Sequence, residues 1–378
     1  MTELAFVLGT VSEAIRLAPV IRACERYGVD HAVIDTGERR GEGFGRSVFE
    51  QFDLSEPDVT LDIGRGSDGE QTGMMLAEIE RVLAEIAPDI VVVHGDANST
   101  LAGAIAASKM DPEVAHVGAG FRSFDRLTPE ETNRVAVDHV ADYLFVPTDK
   151  NRWYLVREGI TELRITVTGS TAVDALDRVR DSGRRERDVL DELGIAGNGV
   201  LLVSVHQREN VDEPDRFLSV LEGAARAGET RGLTVVYPVH PRARERLDRS
   251  GIDVPAGVRT IDPLEYADFV RLLSASTAVL TDSGCVQGEA CVLGVPCVTV
   301  RNNTERAATT EVGANRLSQF DPDCVVRSVA EALDADAEWE NPYGDGDAAE
   351  RILDALPVNT GRREVVQQTR NAERSFSE

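Results

Sequence analysis

Lysine is almost absent from this chain of 378 residues: Lys109 and Lys150 are lysines, and arginine supplies the rest of the positive charge. The 66 acidic residues outnumber the 40 basic ones, which leaves a net charge of -26. A charge of this sign repels polyanions, so binding to nucleic acid or to an anionic membrane surface is excluded as a main function. The composition is typical of a GC-rich genome and of a salt-adapted, halophilic protein, and we expect both causes here.

Long apolar runs are also missing. No stretch approaches the roughly 20 apolar residues of a membrane span, and no basic segment precedes the apolar run at residues 4–8. We therefore expect a cytoplasmic protein without membrane insertion. The five cysteines fit neither a CxxC zinc site nor a disulfide framework, because Cys285, Cys291 and Cys297 recur at every sixth residue. This spacing favours buried free thiols over a metal site.

The chain does contain short β-branched runs that alternate with amphipathic helical stretches. The runs occupy residues 4–8, 32–35, 90–94, 115–117, 143–146 and 165–168, and then 200–205, 233–239, 278–281 and 298–300. Continuous apolar runs between helices predict parallel strands that are covered on both faces. Because the series occurs twice, the sequence predicts an α/β fold of two Rossmann-like domains. We place them at 1–169 and 170–360, with a helical bridge at 174–193 and a polar tail at 361–378 that either frays or packs back on the N-terminal domain.

Ligands of open parallel sheets bind beyond the carboxyl ends of the strands, so the residues that follow each run are informative. In the first domain, the turn at 9–13 opens a helix and could offer free backbone N–H groups to a phosphate or carboxylate, with an ordinary strand-to-helix turn as the equal alternative. Asp96 follows another strand, directly after a glycine, where a charged side chain is more often functional than structural. Residues 128–131 supply a hydroxyl N-cap, a proline and a carboxylate, which predict a helix that begins at Pro129.

Two polar side chains follow the first strand of the second domain. His206 could act there as an acid or a base, with a structural role as the alternative, and Arg208 could meet a phosphate. His240 and Pro241 follow the next strand, and we interpret them as structural. The glycine-rich run at 41–45 looks like a nucleotide-binding fingerprint but follows no strand, so we interpret it as a flexible flap.

Three further features of the second domain suit a diphosphate. Ser283 and Gly284 join a strand to a helix of small residues, whose backbone N–H groups and hydroxyl could cradle phosphate oxygens. Glu289 lies further along that helix, near enough to accept hydrogen bonds from a ribose. Arg306 follows the next strand and supplies the cation that a diphosphate requires.

These motifs occur in the order found in one enzyme family. They are residues 9–10, 13–21, 35–37, 94–96, 129–131, 133–134, 206–210, 237–241, 282–284, 287, 289–290 and 304–306. Through this series, which spans nearly the whole chain, the sequence resembles the non-hydrolysing UDP-N-acetylglucosamine 2-epimerases. The resemblance implies the glycosyltransferase-B fold, in which two Rossmann-like domains face a central cleft and the C-terminal one holds most of the nucleotide.

The activity implied by the resemblance is epimerisation at C2 of UDP-N-acetylglucosamine to UDP-N-acetylmannosamine. The reaction runs through loss of the C2 proton and of UDP, followed by their re-addition, and needs neither a metal nor a nicotinamide cofactor. The resemblance further implies a UDP-sugar as the bound molecule, a homodimer, and a role in polysaccharide biosynthesis.

The resemblance also carries roles onto the matching positions of this chain. The catalytic positions are Asp96 and Glu130, as carboxylates of the acid–base machinery, and His206, which would help UDP leave. The substrate-binding positions are Arg16, Arg208, Ser283, Gly284, Glu289 and Arg306. Of these, Arg16 and Arg306 would meet the charge of the substrate, and the Ser283 loop with Glu289 would hold diphosphate and ribose.

The chain departs from the family pattern at several positions. Val11 stands where the family has an arginine, Gly118 where it has a carboxylate, Cys285 where it has a glycine, and Gly288 where it has a glutamate. Asp125 is a nearby carboxylate that could replace the one lost at position 118. Two alternatives therefore stay open: a UDP-sugar-binding homologue without catalysis, acting as a regulatory or partner subunit, and an enzyme of altered outcome, either a hydrolysing 2-epimerase or a glycosyltransferase.

Overall fold

The structure of the protein is a computed structural model that describes residues 3–37, 48–64, 66–181, 186–195, 199–335 and 338–359. It contains two parallel β-sheets, one in each half of the chain, with helices between successive strands. The predicted flap at 41–45 and the predicted tail at 361–378 lie outside the described residues. Among the helices of the described part, none is both long enough and apolar enough to cross a membrane.

The first sheet has seven strands, in the order 3-2-1-4-5-6-7, and all of its described pairs are parallel. The strands are β1 (Leu4–Leu8), β2 (His31–Asp35), β3 (Val59–Thr60), β4 (Ile90–His94), β5 (Glu113–Val117), β6 (Tyr143–Val146) and β7 (Ile165–Val167). The helices are α1 (Val11–Tyr27), α2 (Val48–Gln51), α3 (Asp68–Ile86), α4 (Asn98–Ala107), α5 (Pro129–Val140) and α6 (Asp149–Arg157), with a 3-10 turn at Glu162–Arg164. Strand β1 is buried along its whole length because helices cover both faces of the sheet.

The second sheet repeats this plan with six parallel strands, in the order 10-9-8-11-12-13. The strands are β8 (Val200–Ser204), β9 (Thr234–Pro238), β10 (Val258–Ile261), β11 (Ala278–Thr281), β12 (Cys297–Thr299) and β13 (Asn315–Leu317). The helices are α7 (Thr171–Asp181), α8 (Glu186–Glu192), α9 (Arg208–Val211), α10 (Pro214–Arg231), α11 (Pro241–Ser250), α12 (Tyr266–Ser274), α13 (Gly284–Leu293), α14 (Ala307–Glu311), α15 (Pro322–Asp334) and α16 (Ala348–Ala355).

The predicted α/β fold of two Rossmann-like domains is confirmed. All ten predicted strands are present, and their ends differ from the prediction by at most two residues. The three strands that the prediction missed, β3, β10 and β13, all lie at sheet edges. Apart from the buried Asn315, their residues are partly buried or exposed, so these strands lack the continuous apolar run by which the inner strands were recognised.

The two halves are joined by helices as well as by the chain crossover at 169–172. The predicted helical bridge consists of two helices, α7 and α8, and α7 packs against α1. Helix α16, which follows the second sheet, packs on both α1 and α7. Its Ile352 and Leu353 belong to the same apolar cluster as Leu17 and Ile21 of α1. The end of the described chain therefore contributes to the core beneath the first sheet.

Helix α5 begins at Pro129 as predicted, but the predicted hydroxyl cap is wrong. The Thr128 hydroxyl donates a hydrogen bond to the Asp125 carbonyl at 2.8 Å and makes no cap hydrogen bond to the helix. The Glu131 carboxylate accepts hydrogen bonds from the backbone N–H groups of Ser123 and Phe124, at 3.0 and 2.9 Å. The preceding loop folds back over the helix start, and this tertiary contact takes both side chains away from capping.

Candidate active site

Each sheet reverses its strand order at one pair of adjacent strands, and this reversal opens a crevice at the carboxyl ends. In the first sheet the pair is β1 and β4, and in the second it is β8 and β11. The loops that hold Asp96, His206 and Ser283 therefore begin at these crevices. Arg16 of the first domain reaches Glu289 of the second, so the two crevices face each other across the domain interface.

In the turn after β1, a carboxylate of the chain itself occupies part of the predicted anion site. Glu13 is buried, and its Oε2 accepts hydrogen bonds from the backbone N–H groups of Gly9 and Thr10, at 3.0 and 2.7 Å. The hydroxyl groups of Ser99 and Thr100 donate to its Oε1, at 2.8 and 2.7 Å. The Glu13 carboxylate thus satisfies these donors itself and connects the first turn to the start of α4.

Asp96 and Glu130, the two predicted catalytic carboxylates, have different surroundings. Asp96 pairs with the guanidinium of Arg134, and its side chain is 39% exposed. Arg134 also contacts Glu131 Oε2 at 3.0 Å across one turn of α5. Glu130 is exposed on the first turn of α5, whereas the neighbouring Glu131 is buried. Within the described part of the chain, Asp96 therefore belongs to a network with Arg134 and Glu131, and Glu130 lies beside it on the surface.

His206 is positioned by a buried carboxylate. Asp282, at the end of β11, accepts hydrogen bonds from the His206 backbone N–H at 3.1 Å and from Asn210 Nδ2 at 2.8 Å. Burial raises the pKa of Asp282, and these hydrogen bonds oppose that rise. The His206 ring stacks on the ring of His240, with centroids 4.7 Å apart. His240 accepts a hydrogen bond from the Arg242 backbone N–H at 3.2 Å, at the start of α11.

Arg208 lies at the rim of the interface. Its side chain is 63% exposed, and its Nη1 lies 3.3 Å from Asp68 Oδ2 of the first domain. An ion pair this exposed contributes little to stability and leaves the guanidinium available to a ligand.

The junction between β11 and α13 is closely packed around Gly284. Ser283 precedes the helix as its N-cap residue and makes no side-chain cap hydrogen bond. The Glu305 carboxylate fills the space that a Cβ would take at Gly284. Arg306 donates from Nε to the Gly284 carbonyl at 3.0 Å, and its guanidinium lies 3.7 Å from the centroid of the Phe121 ring. The predicted diphosphate loop and the predicted cation are therefore in direct contact.

Glu305 is a buried carboxylate among three arginines. Burial alone would raise its pKa, but Arg301, Arg134 and Arg306 outweigh burial and lower the pKa to about 2. Arg301 donates from Nη1 to Glu305 Oε2 at 2.8 Å. Because Arg134 belongs to the first domain, the ionised Glu305 attracts the two domains towards each other across the cleft.

A buried ion pair joins the domains directly. Arg16 Nη2 donates to Glu289 Oε1 at 2.6 Å, and the two side chains are 6% and 3% exposed. The Tyr266 hydroxyl donates to the same oxygen at 3.2 Å. Burial acts to lower the pKa of Arg16, but Glu289 raises it well above its ordinary value, so the guanidinium is charged. Its other terminal nitrogen, Nη1, is buried without a hydrogen-bond partner among the described residues.

A small cavity lies between the domains. Residues of both domains line it, among them Arg16, His94 and Gly118 of the first domain and Cys285, Arg306 and Tyr343 of the second. The Tyr343 hydroxyl, like Arg16 Nη1, is buried with no partner in the described part of the chain. The cavity volume is about 20 Å³, room for about one water molecule. Ligand pockets usually measure about 300–1,000 Å³, so this arrangement of the domains leaves no room at these side chains for a molecule as large as a nucleotide sugar.

No three His, Cys, Asp or Glu side chains of the described residues converge as a metal site requires. All five cysteines are free, and Cys24, Cys291 and Cys297 are buried as predicted. Cys285 and Cys324 are partly exposed, so the prediction of buried thiols is wrong for these two. Cys285 differs because it stands in the first turn of α13, where its Sγ lies 3.2 Å from Ser12 Oγ of the other domain.

Comparison with known proteins places this cleft in a family. Residues 22–357 match the family model described as UDP-N-acetylglucosamine 2-epimerase. The chain belongs to the UDP-N-acetylglucosamine 2-epimerase family. The UDP-N-acetylglucosamine 2-epimerase of Methanocaldococcus jannaschii is 41% identical over 361 residues, which cover 94% of this chain and 98% of that protein. The protein of the same name from Methanococcus maripaludis is 37% identical over 94% of this chain and 98% of its own length.

A solved structure gives the same result for the fold of this 2-epimerase family member. The M. jannaschii UDP-GlcNAc 2-epimerase in complex with UDP-GlcNAc and UDP superimposes with a TM-score of 0.86, at 41% identity. The alignment covers 93% of this chain and 98% of that one. The family resemblance and the glycosyltransferase-B fold are therefore confirmed, and the family is one of isomerases.

Two departures from the 2-epimerase pattern lie in different environments. Val11 is the first residue of α1 and packs against the core beneath the first sheet. Gly118 has a φ of 76° and lines the cavity. Asp125, the candidate replacement for the carboxylate missing at position 118, accepts a hydrogen bond from Asn303 of the second domain at 3.0 Å. The Asp125 carboxylate therefore already has a partner across the domain interface.

The site assignment from sequence missed several residues of this 2-epimerase cleft. Arg134 and Glu305 stand in motifs that the sequence shows, and the spacing of Arg134 three residues after Glu131 on one helix face was a usable signal. Phe121 and Tyr343 gave no comparable signal, because an aromatic residue in a loop is more often part of a core. Tyr343 reaches the cavity because its carbonyl accepts a hydrogen bond from the Ser170 backbone N–H at 2.8 Å, at the domain crossover.

Proposed function

We propose that this protein catalyses the epimerisation at C2 of UDP-N-acetylglucosamine to UDP-N-acetylmannosamine, by elimination and re-addition of UDP. The observation that carries the proposal is the 41% identity, over 94% of the chain, to the M. jannaschii 2-epimerase. That protein has been solved in complex with UDP-GlcNAc and UDP, in a fold that matches this one with a TM-score of 0.86.

The chemistry requires a base, an acid and a cationic environment for the leaving group. A base removes the C2 proton, the electrons of the C2–H bond form a C1=C2 double bond, and the C1–O bond breaks with its electrons leaving on UDP. Re-addition of UDP and of a proton on the opposite face gives the manno epimer. Charge develops on the diphosphate, where cations already in position stabilise it best. Arg16 and Arg306, together with the start of α13, support this part of the proposal.

Roles for the predicted residues follow from this scheme and are part of the proposal. Asp96 and Glu130 serve as carboxylates of the acid–base machinery, and His206 assists the departure of UDP. The diphosphate and ribose are held by the substrate-binding residues of the second domain, namely Arg208, Ser283, Gly284 and Glu289. Glu289 already accepts two hydrogen bonds at Oε1, so a ribose hydroxyl would have to compete with Arg16 or bind the other oxygen.

Proton NMR in D₂O tests the proposal directly. The purified protein is incubated with UDP-N-acetylglucosamine at high salt, and the spectra are followed for loss of the C2 proton signal and for growth of the manno C1 signal. We expect deuterium at C2 in both epimers, because re-addition takes a proton that has exchanged with solvent. Asp96→Asn should slow this exchange by about 10²- to 10⁴-fold, the usual effect of one acid–base group. Binding of the UDP-sugar without C2 exchange would contradict the proposal.

A specific observation favours a second candidate, a UDP-sugar-binding homologue that has lost catalysis and acts as a regulatory or partner subunit. Val11 and Gly118 lack the charged side chains that the family pattern carries at those positions. Under this hypothesis Asp96→Asn leaves both UDP-sugar affinity and any cellular role intact. Loss of the cellular role in that variant would argue for catalysis. Free N-acetylmannosamine together with UDP would instead indicate a hydrolysing 2-epimerase, and transfer of the sugar to an acceptor would indicate a glycosyltransferase.

We also propose a cytoplasmic homodimer that is adapted to high salt and serves polysaccharide biosynthesis. The net charge of -26 supports the salt adaptation. The family resemblance supports the dimer and the biosynthetic role, and the mass of the protein in solution tests the dimer.

A further inference from the structure

His94 is an imidazole that the catalytic scheme above does not use. It is the last residue of β4, beside the crevice between β1 and β4, and it lines the cavity between the domains. The residue is half-buried. A half-buried histidine beside a cavity between two domains is a candidate for proton transfer.

Gly118 lies directly against the His94 ring and lines the same cavity. A Cβ at Gly118 would lie 3.1 Å from His94 Nε2, closer than nearly all Cβ contacts, and the other near atoms belong to the same ring. Any side chain at position 118 would begin beside the imidazole. Nε2 therefore lies next to the position at which the family carries its carboxylate.

Two arginines line the same cavity as the imidazole. Arg16 belongs to α1 and Arg306 to the second domain, while Cys285 and Tyr343 complete the polar lining. Burial lowers the pKa of His94 well below its ordinary value, and the charges of Arg16 and Arg306 lower it further. This environment keeps the ring neutral with a free lone pair, but makes it a weaker base than an ordinary imidazole until the charge of a bound diphosphate offsets the two arginines.

We infer that His94 is a proton-transfer residue of the C2 epimerisation, with Nε2 acting from the place of the carboxylate that Gly118 lacks. This inference rests on the proposed function. Nε2 accepts the C2 proton as the C1=C2 bond forms and UDP departs with the electrons of the C1–O bond. A proton from water is passed to the opposite face of C2 by way of the Asp96 carboxylate in the proposed scheme, as UDP re-adds at C1. The imidazolium then releases its proton to water and returns to the neutral ring.

The test compares C2 deuterium exchange in the wild-type protein, His94→Gln, His94→Ala and the control His139→Gln. His139 is an exposed histidine near the end of α5, so His139→Gln should leave the exchange rate unchanged. We expect both His94 variants to lose about 10²- to 10⁴-fold in exchange rate, because an amide or a methyl group cannot accept the proton. UDP affinity, measured by calorimetry, should change by less than about threefold, since the diphosphate contacts are untouched.

Added imidazole separates proton transfer from packing. His94→Ala leaves a space shaped like the missing ring, so imidazole in solution should restore its exchange rate at least tenfold. His94→Gln fills that space and should not respond. Exchange by His94→Gln within about threefold of wild type would overturn the inference, and so would an inactive His94→Ala that imidazole does not rescue. A wild-type protein that binds UDP-N-acetylglucosamine without C2 exchange would overturn the proposed function itself, together with this inference.

Discussion

Two glycines of α13, one turn apart, differ in whether the cleft has room for a Cβ atom. At Gly284, the position of a Cβ is already filled by the carboxylate of Glu305. At Gly288, one turn further along the same helix, a Cβ would meet the Tyr343 ring at 3.8 Å, which is an ordinary contact. Neither glycine has a positive φ, so backbone strain does not distinguish them. The difference between the two positions is therefore one of space alone.

Replacing each glycine by alanine should destabilise the protein at position 284 and not at position 288. Gly284→Ala forces Glu305 away from Arg301 and should lower the free energy of unfolding by about 1–3 kcal/mol. Gly288→Ala should be neutral or raise it by up to about 1 kcal/mol, because alanine is the better helix former. Guanidinium denaturation of both variants beside wild type measures the difference. Equal destabilisation of the two would show that Glu305 does not restrict position 284.

At the scale of elements, α7 caps α16 across the domain crossover. Asp174 of α7 accepts a hydrogen bond at Oδ1 from the Ala349 backbone N–H of α16, at 2.9 Å. Its Oδ2 is buried without a partner among the described residues. Burial raises the pKa of Asp174 to about 6, and the backbone hydrogen bonds only partly oppose this rise. The carboxyl group thus stabilises this contact best when it is protonated.

The raised pKa makes the stability of this contact depend on pH. A carboxyl group whose folded pKa exceeds its unfolded pKa contributes stability at low pH, and that contribution is lost as pH rises through about 6. Asp174→Asn should therefore match wild type near pH 4 and exceed its free energy of unfolding by up to about 3 kcal/mol at pH 7.5, from 1.36 kcal/mol per pH unit. Urea titrations at the two pH values measure this difference.

A comparison variant, at a carboxylate whose pKa is lowered instead of raised, should not gain stability. Asp345 is exposed and paired with Arg351, which lowers its pKa to about 2. Asp345→Asn should show no gain in stability relative to wild type between pH 4 and 7.5. A constant difference between Asp174→Asn and wild type over this range would mean that Asp174 is ionised throughout.

At the scale of the whole molecule, repulsion among acidic side chains competes with a few ion pairs across the cleft. The net charge is -26. The exposed pairs Arg208–Asp68 and Lys150–Glu311 join the two domains, and pairs of this kind contribute little. The Arg16–Glu289 pair is buried and is screened much less by salt. Salt should therefore weaken the repulsion more than it weakens the attraction between the domains.

We expect the thermal midpoint of unfolding to rise as NaCl increases from about 0.1 to 2 M. The screening length falls from about 10 Å near 0.1 M to about 3 Å at 1 M, which suppresses repulsion between distant acidic side chains. Scanning calorimetry over this series gives the midpoint, and KCl at the same ionic strength should act alike if screening is the cause. A midpoint that stays constant or falls would mean that repulsion does not limit the stability of this protein.

Most of the fold followed from patterns within short segments. The inner strands and the domain repeat were predicted because a strand buried on both faces must be a continuous apolar run. The edge strand β13 could not be predicted in this way, since Asn315 and Arg316 take part in it through pairing with β12. The helix start at Pro129 was predicted correctly, but the behaviour of Thr128 and Glu131 depended on a loop that folds back over them.

The sequence by itself determined the fold class, the family and the loops proposed to carry the chemistry, because these depend on periodicity and on motifs that are local in the chain. The tertiary structure alone decided which groups meet across the cleft. Arg16 and Glu289 are 273 residues apart in sequence, yet they form a buried ion pair at 2.6 Å. The approach of His94 to the space above Gly118 is likewise a matter of strand order. Such contacts are set by how two sheets pack, and no local pattern encodes them.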